Sequence, residues 1–336
     1  MMKTIITWDL GATNCAAAIV AYDPHSEQFS CTKSASVKLS ACNSLEELIY
    51  RLEHALSIHM QDADAICIGA AGHYDGSHLI HTSPYPYTMP FAQIAQLQKW
   101  PPFAIIHDYA PIVCATFTDY VAQAHNVRKL NSAPLNKFGR RVTLGVGTGL
   151  GLKDGVLLES GDFWLGQNEF GHIGITTPPL CDPAQQQRHQ ELIKFLRSEQ
   201  VLTANEPLTF EKILSGQGTL RLYRFLTACQ QTVSPEEVGT KMREGQAKEL
   251  ETMFAWYLGL FVGTVQLAFM ANGGTWITGG VILNHLNLFD YPDFMQGIEA
   301  SPAYLSLRQS FPLGVLCNRE HAFMGGAFYA SKRLLR

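Results

Sequence analysis

The chain has 336 residues, of which 46% are hydrophobic and 16% are charged, and its formal net charge is −4 at pH 7. A chain of this length can bury a sizeable core and usually forms two domains. Because this charge balance provides no basic surface for nucleic acid, we expect small solutes as partners and no nucleic acid.

The chain opens with a short apolar run that ends in a glycine turn at residues 9–14, DLGATN. Strand-like residues 16–21 follow, so the pattern predicts the tip of a β-hairpin rather than a strand-to-helix junction. The glycine backbone of such a tip can turn its N–H groups toward a phosphate. Asp9 cannot attract phosphate itself, so its useful role is to hold a magnesium ion, directly or through water.

Helix-like and strand-like segments then alternate. Residues 45–60 predict a helix, and residues 63–71 predict a buried strand. Residues 103–107 predict another buried strand, which ends at Asp108 before a predicted helix over 110–121. A carboxylate at the carboxyl end of such a strand lies where open α/β sheets place their ligands. Asp108 is therefore a candidate general base for a hydroxyl group, and capping of the next helix is the alternative role.

A second glycine turn, GVGTGLG at residues 145–151, lies between two further strand-like runs. Its glycines alternate strictly, unlike the G-x-G-x-x-G dinucleotide fingerprint, and the chain contains no Gly-Lys-Ser or Gly-Lys-Thr of a Walker loop. The pattern predicts a second phosphate-holding hairpin, to which Thr148 adds a hydroxyl group. Two ordinary β-hairpins are the alternative interpretation.

Glu169 and His172 form a candidate sugar-binding pair. They combine an acceptor with a donor, three residues apart, which suits adjacent hydroxyl groups of a pyranose ring. The same spacing fits half of a metal site, but the nearby candidates Asp162, Cys181 and His189 show no companion pattern. A solvated loop is the plain alternative.

Later segments bear on location and metal binding. Residues 178–190, rich in proline and glutamine, predict an exposed loop. Residues 253–271 are uncharged and long enough to span a bilayer. We expect instead a buried helix between the domains, because a lone membrane span would separate this segment from the glycine motif at residues 273–280.

The eight cysteines are scattered without a C-x-x-C pair, which argues against a zinc cluster or a dense disulfide framework. No room for a signal peptide precedes the first predicted strand, so we expect a cytoplasmic protein without a membrane partner.

These motifs resemble those of the bacterial glucokinase family, within the superfold of sugar kinases, actin and heat-shock chaperone ATPases. The resemblance covers almost the whole chain. Five motifs carry it: the two glycine turns, the sugar-gripping segment EFGH at 169–172, the family-specific helix start EKILSGQG at 211–218 and the adenosine motif TGGV at 278–281. Five ordered motifs are a strong signal where any one alone is weak.

The resemblance implies an α/β fold of the two-lobed, ribonuclease H-like (actin-like ATPase) type, with the active-site cleft between the lobes. Residues 1–108 together with 319–336 are expected to form the smaller α/β lobe. Residues 109–318 are expected to form the larger one.

The implied activity is that of an ATP-dependent hexose kinase, with D-glucose as the leading substrate and Asp108 as the general base for its 6-hydroxyl group. ATP and Mg²⁺ are the implied cofactors, and Asp9 is the implied metal residue. Dimers are common among relatives, so we expect a homodimer. The implied nucleotide site consists of Asp9, Gly11, Ala12, Thr13, Asn14, Gly147, Thr148, Gly149, Gly279 and Gly280. The implied sugar site consists of Thr82, Ser83, His107, Glu169, His172 and Glu211.

Three features depart from the family pattern. His107 stands where the family has an asparagine that contacts the sugar. The segment HTSPYPY at residues 81–87 lacks the asparagine that the family shows in this loop, and Ala16 replaces an arginine that follows the first phosphate motif. Two alternatives therefore stay open: a kinase for another hexose or an amino sugar, and a sugar-responsive binding protein that has lost turnover. The loss of the arginine also leaves the phosphoryl donor open.

Overall fold

The structure is a computed structural model that describes residues 1–80, 85–176, 183–228 and 233–335. The strands are β1 (Lys3–Leu10), β2 (Asn14–Asp23), β3 (Gln28–Lys38), β4 (Ala65–Ala70), β5 (His73–Tyr74), β6 (Leu79–Ile80), β7 (Phe103–His107), β8 (Val127–Lys129), β9 (Arg141–Val146), β10 (Leu150–Leu157), β11 (Phe163–Leu165), β12 (Gly274–Thr278) and β13 (Leu313–Leu316).

The α-helices are α1 (Leu45–Leu56), α2 (Phe91–Leu97), α3 (Tyr109–Ala115), α4 (Pro183–Ser198), α5 (Phe210–Ile213), α6 (Gly216–Thr227), α7 (Pro235–Arg243), α8 (Lys248–Phe269), α9 (Gly280–Asn284), α10 (Pro292–Glu299), α11 (Leu305–Gln309) and α12 (His321–Arg333). Short 3-10 helices lie at Leu39–Ala41, Met60–Asp62, Asp119–Ala122, Phe170–His172 and Leu286–Asp290.

The contacts divide the chain into two compact units. The first contains Met1–Val127, Leu157–Leu165 and Asn318–Arg336, and the second contains Arg128–Val156 and Gly166–Cys317. Helix α3, predicted for the larger lobe, falls in the first unit because it packs against α12. The predicted lobe boundaries at 108/109 and 318/319 stay a prediction, and the compact units run differently from them at residues 109–127, 157–165 and 318.

The first unit is built on a sheet with the strand order β3-β2-β1-β4-β7. Strand β1 pairs antiparallel with β2 and parallel with β4, and β4 pairs parallel with β7. Alternate residues of β1 enter opposite faces of the sheet, as the two-residue period of a strand requires. Ile6 and Trp8 share a buried cluster with Leu48 of α1, whereas Ile5 shares another with Ala327 of α12.

The second unit contains a sheet with the strand order β10-β9-β12-β13-β8. Strand β9 pairs antiparallel with β10 and parallel with β12, and β12 pairs parallel with β13. Val142 and Leu144 of β9 belong to the same buried cluster as Phe254 and Phe261 of α8. A central antiparallel hairpin extended by parallel strands is therefore common to both units.

The burial predicted for residues 253–271 is confirmed, since most side chains of α8 are buried, but the helix belongs to the second unit and not to a position between domains. The helix packs against α10, α6, α5 and α7 of the second unit. In the described part of the chain it is the one helix that is long and apolar enough to cross a membrane by length and composition, and 72% of its apolar stretch is buried.

The helix predicted over 110–121 ends at Ala115 as α3, and the loop predicted over 178–190 is wrong over residues 183–190. Residues 183–190 of the predicted loop begin α4, while residues 177–182 lie outside the described residues. Pro183 opens the helix, where its fixed φ angle is favourable and its missing N–H is harmless. Leu192 and Leu196 then bury one side of α4, so tertiary packing outweighs the polar composition of the helix start.

Candidate active site

The first glycine turn lies in the first unit at the tip of the β1–β2 hairpin. Its backbone is braced from within, because the N–H of Gly11 donates to the carbonyl of Asn14 at 3.0 Å. The N–H of Leu39 donates to the carbonyl of Thr13 at 2.9 Å and holds the turn from the adjacent segment. Ala12, Thr13 and Asn14 are exposed, so this turn presents its tip to solvent.

Asp9 and Asp108 lie at the carboxyl ends of strands on either side of β4. Asp9 is opposite Gly69 of β4 in the register, and the N–H of Asp108 donates to the carbonyl of Ala70 at 3.1 Å. The side chain of Asp9 is accessible to solvent. Even so, the surrounding protein removes water from its carboxylate. This desolvation and, next, the negative charge of Asp108 raise the pKa of Asp9 to about 6. The two carboxylates thus lie at the same edge of the sheet and interact electrostatically.

Asp108 is held by the residues on both sides of it. Its backbone is already helical, with φ −55° and ψ −30°, so the strand alternation ends between residues 107 and 108. The two side chains therefore approach each other, with His107 Nδ1 3.0 Å from Asp108 Oδ1. The N–H of Tyr109 donates to the same Oδ1 at 3.0 Å. Asp108 thus caps α3 and keeps a partly exposed carboxylate, so the two roles considered for it are compatible.

The second glycine turn lies in the second unit at the tip of the β9–β10 hairpin. The N–H of Gly147 donates to the carbonyl of Gly149 at 2.9 Å, and the N–H of Gly216 donates to the carbonyl of Gly147 at 2.8 Å. The N–H of Leu150 donates to Glu211 Oε2 at 3.1 Å. The start of α6 and the carboxylate of α5 therefore fix this turn from outside the hairpin, while Thr148 stays exposed.

The adenosine motif lies beside the second turn. Gly279 has a φ angle of +103°, and a Cβ atom there would overlap the backbone of Val146 at the end of β9. A Cβ on Gly147 would be 4.0 Å from the backbone nitrogen of Gly280. Glycine at position 279 thus permits both the left-handed backbone and the close approach of the two motifs.

The sugar-gripping segment also gathers at the second turn. Residues Phe170–His172 form a 3-10 helix, and a Cβ atom on Gly171 would overlap the carbonyl oxygen of Leu150. His172 Nδ1 lies 3.8 Å from Glu211 Oε1, and the side chains of Glu169 and His172 are exposed. The second unit therefore brings predicted sugar-binding residues together with its glycine turn.

Two supporting residues were missed by the sequence analysis. Asp154 is buried in β10, where it accepts hydrogen bonds from Arg140 at 2.6 and 2.9 Å and from Asn168 Nδ2 at 3.1 Å. Asp154 thereby anchors Asn168, the residue that precedes Glu169. The signal available in the sequence is the charged pair Lys153–Asp154 inside a strand of apolar residues and glycines, because a buried charge requires a partner.

The hydroxyl group of Tyr85 donates to the carbonyl of Ala71, just after β4, at 2.6 Å. Burial, and next the charge of Asp108, raise the pKa of Tyr85 above its ordinary range. Tyr85 is thus a neighbour of the candidate base. The predicted sugar residues Thr82 and Ser83, in contrast, lie outside the described residues.

The residues present fit a magnesium ion for which the protein supplies only some of the ligands. Within the described ranges, no group of three or more His, Cys, Asp or Glu side chains is placed to hold a metal ion. Mg²⁺ usually keeps several waters and takes one or two carboxylates together with substrate phosphates. Asp9 offers such a carboxylate, and a cation beside it would offset the repulsion from Asp108.

Comparison with known proteins identifies the family. The profile of the family described as Glucokinase matches residues 6–333. The chain belongs to the Glucokinase family. This confirms the resemblance drawn from the five motifs and makes the chain a sugar phosphotransferase of the hexokinase type.

Individual relatives are distant but similar along their whole length. The glucokinase of Saccharophagus degradans is 23% identical over 337 residues, which cover 97% of this chain and 98% of that protein. A glucokinase from an Antarctic psychrotroph has a TM-score of 0.78 at 18% identity, covering 97% of this chain and 98% of its own. A glucokinase from Balamuthia mandrillaris in complex with glucose has a TM-score of 0.75 at 18% identity, covering 98% and 94%. The predicted fold class, the two-lobed actin-like ATPase fold, is thereby confirmed.

Proposed function

We propose that this protein transfers the γ-phosphoryl group of ATP to the 6-hydroxyl group of D-glucose. The observation that carries the proposal is Asp108, a partly exposed carboxylate at the carboxyl end of β7 whose Oδ1 is held by its neighbours. Membership of the Glucokinase family supports the reaction class. The complex of the Balamuthia mandrillaris glucokinase with glucose supports the choice of sugar.

Asp108 is assigned the role of general base. Phosphoryl transfer requires little covalent chemistry from the protein, but the attacking hydroxyl must be aimed and must lose its proton. The O–H bond of the sugar breaks as its oxygen bonds to the γ-phosphorus, and the proton passes to the Asp108 carboxylate. ADP leaves with the electron pair of the broken O–P bond.

The sugar is assigned to Glu169, His172 and Glu211. The carboxylates accept hydrogen bonds from sugar hydroxyls, and the imidazole can donate one. Glu211 Oε2 already accepts from the N–H of Leu150, so Oε1, on the side of His172, is the oxygen assigned to the sugar. This division lets one carboxylate serve both the sugar and the phosphate turn.

The nucleotide is assigned to the two glycine turns and the Gly279–Gly280 motif. The backbone N–H groups and the exposed hydroxyls of Thr13 and Thr148 are suitable partners for phosphate oxygens. Asp9 would hold Mg²⁺, directly or through water. When bound, this ion stabilises the negative charge that develops on the transferred group.

The first experiment is ADP release by the purified protein with ATP and Mg²⁺ against glucose, mannose, fructose, N-acetylglucosamine and N-acetylmannosamine. We expect turnover with glucose, and a loss of about 10²–10⁴-fold in kcat for Asp108→Asn, the range of general-base contributions. An unchanged melting temperature of the variant shows that the loss is not unfolding. Turnover that survives the substitution would remove Asp108 as the base.

The second candidate function is a kinase for another hexose or an amino sugar. The specific observation that favours it is His107 beside the base, where a bulky ring replaces the asparagine expected from the family. A clear preference for another sugar in the same panel would identify that sugar, instead of glucose, as the substrate. If calorimetry shows sugar binding but no product forms at any ATP concentration, the protein is instead a sugar-binding protein without turnover.

Location and assembly complete the proposal. We assign the protein to the cytoplasm, where ATP and free sugars meet, with no membrane or nucleic-acid partner. We assign a homodimer as its assembly. Light scattering of the purified protein at several concentrations tests the dimer, and a constant monomer mass contradicts it.

A further inference from the structure

The backbone around the candidate sugar residue Glu169 is held against β10 at two points. Before it, the N–H of Gly166 donates to the carbonyl of Asp154 at 2.9 Å, and a Cβ atom on Gly166 would overlap the Asp154 carboxylate. After it, a Cβ atom on Gly171 would overlap the carbonyl oxygen of Leu150. Glu169 therefore lies between two places where the backbone meets β10.

The buried carboxylate of Asp154 divides its two oxygens between two partners. Its side chain is 2% exposed. The guanidinium of Arg140 donates to Oδ2 from Nε at 2.9 Å and from Nη2 at 2.6 Å, and the side-chain amide of Asn168 donates to Oδ1 at 3.1 Å. A buried carboxylate needs hydrogen bonds as well as an opposite charge. Here the charge comes from the start of β9, and the further donor comes from the residue before Glu169.

The orientation of the Asn168 amide follows from these contacts. Its nitrogen must face the carboxylate, because an amide oxygen there would meet Asp154 Oδ1 without a hydrogen between them. The amide oxygen then accepts from the N–H of Phe170 at 3.4 Å. The side chain of Asn168 thus extends past Glu169 and ties the backbone after it to the buried carboxylate.

Glu169 depends on such support, because its backbone belongs to neither a helix nor a strand. Its φ and ψ angles are −124° and 52°, and it stands immediately before the 3-10 helix Phe170–His172. The N–H of His172 donates to the carbonyl of Glu169 at 3.1 Å. A displacement of Asn168 would therefore move both members of the candidate sugar pair.

An aromatic contact ties the same arginine to this segment. The guanidinium carbon of Arg140 lies 5.1 Å from the ring centroid of Phe269. The ring of Phe269 meets the ring of Phe170 edge to face, with 5.2 Å between the centroids. Arg140 thus supports the segment by a polar route through Asp154 and by an apolar route through Phe269.

We propose that Asp154 and Asn168 are positioning residues for sugar binding: the Asn168 amide, held by the buried carboxylate, orients the side chains of Glu169 and His172 toward the sugar hydroxyls. The sugar contact rests on the proposed function, whereas the hydrogen bond between Asp154 and Asn168 does not. Because this pair holds the sugar segment and not the tip of the glycine turn, its loss weakens sugar binding and leaves ATP binding unchanged.

Substitutions of Asn168 test the proposal. Asn168→Asp places a second carboxylate against Asp154, and Asn168→Ala removes the amide. We expect each variant to bind the sugar preferred in the panel about 10-fold more weakly, as for the loss of one hydrogen bond to a charged group, with KM for ATP changed less than about threefold. Calorimetry without ATP measures the sugar Kd. Asn205→Asp, the same change of charge at an exposed site, is the matched control.

An exchange of the two side chains shows whether their direct contact carries the effect. The double variant Asp154→Asn with Asn168→Asp again has one amide and one carboxylate, so the new amide donates to the new carboxylate and its oxygen accepts from Arg140. We expect its sugar Kd to return to within about threefold of wild type, which is a positive coupling of the two sites. Asp154→Asn alone completes the cycle.

Three results overturn the positioning role. The first is a double variant whose loss of sugar affinity equals the sum of the two single losses, because the contact then carries none of the affinity. The second is a sugar Kd that neither substitution of Asn168 changes, including the case in which only the melting temperature falls, since the pair then supports the fold alone. The third is a rise in KM for ATP as large as the rise in sugar Kd.

Failure of the proposed function has a different signature. A wild-type protein that binds none of the five sugars overturns the proposed function and the positioning role with it. Sugar binding by the wild type that withstands every substitution in the cycle overturns the positioning role alone.

Discussion

The two glycine turns occupy equivalent places in two similar sheets, yet they are stabilised differently. Each joins an antiparallel hairpin whose first strand also pairs parallel with its other neighbour. In the first unit the acid is part of the hairpin, since Asp9 lies in β1 two residues before Gly11. In the second unit the acid comes from elsewhere in the chain, since Glu211 of α5 accepts the N–H of Leu150. A common hairpin therefore carries a charged turn in one unit and, in the other, a neutral turn that is anchored by a carboxylate from a distant helix.

This difference suggests that the two turns have different roles. If the first turn binds phosphate as proposed, the carboxylate of Asp9 beside it is useful only with a cation, which Asp9 would hold. The second turn has its acid engaged in a backbone hydrogen bond, so in the proposed role its tip would bind phosphate through N–H groups and the Thr148 hydroxyl. The substitutions below are chosen to act on one turn and to leave the other unchanged.

Among the substitutions that act on the two turns, Asp9→Asn is expected to have the largest effect. Loss of the carboxylate that holds the ion removes electrostatic stabilisation of the transferring group, so we expect kcat/KM for ATP to fall about 10²–10³-fold. The Mg²⁺ concentration needed for half-maximal rate should rise as well. Asp62→Asn, at an exposed site, serves as the control, and an unchanged Mg²⁺ dependence of Asp9→Asn contradicts the metal role.

Alanine scanning of the two turns tests the comparison directly. A Cβ atom at Gly149 would lie 2.9 Å from Glu211 Oε2, the oxygen that holds Leu150, whereas at Gly11 its nearest neighbour would be an ordinary 3.5 Å from the carbonyl of Asn14. We expect Gly149→Ala to raise KM for ATP about 10-fold or more and Gly11→Ala to change it less than about threefold, since displacement of a backbone donor is costly. Equal effects would show that the external anchor is unimportant.

A smaller effect is expected for Glu211→Gln. The amide keeps an oxygen for the N–H of Leu150 but loses the negative charge that faces His172, so KM for the sugar should rise about 3–10-fold, as for one charged hydrogen bond weakened. Glu211→Ala removes both functions and should also raise KM for ATP. Steady-state kinetics with each substrate varied separately distinguish these patterns, and the same KM values in both variants would exclude the dual role.

The contrast between the turns also explains which parts of the site were predictable. The first turn, Asp9 and Asp108 follow from local pattern, because a strand end and a glycine tip are encoded by adjacent residues. The contact of Glu211 with Leu150 joins residues 61 positions apart, and no local periodicity encodes such a pairing. The His107–Asp108 contact was missed for a different reason: a strand places neighbouring side chains on opposite faces, and the early helical backbone of Asp108 cancels this alternation.

The smallest effect concerns stability, and it arises from the first turn alone. The raised pKa of Asp9, about 6 against an ordinary 3.8, means that ionisation of this carboxyl opposes folding. Below about pH 4 the group is protonated in the folded and the unfolded chain, so its contribution is fully favourable there, and it is lost as the pH rises through about 6. Asn carries no charge, so Asp9→Asn should melt about 1–3 °C above wild type at pH 8, a small shift because the carboxylate is accessible to solvent. This difference should shrink toward zero at pH 4. Thermal unfolding of both proteins without Mg²⁺ measures it, and a difference independent of pH would assign the effect to packing instead of charge.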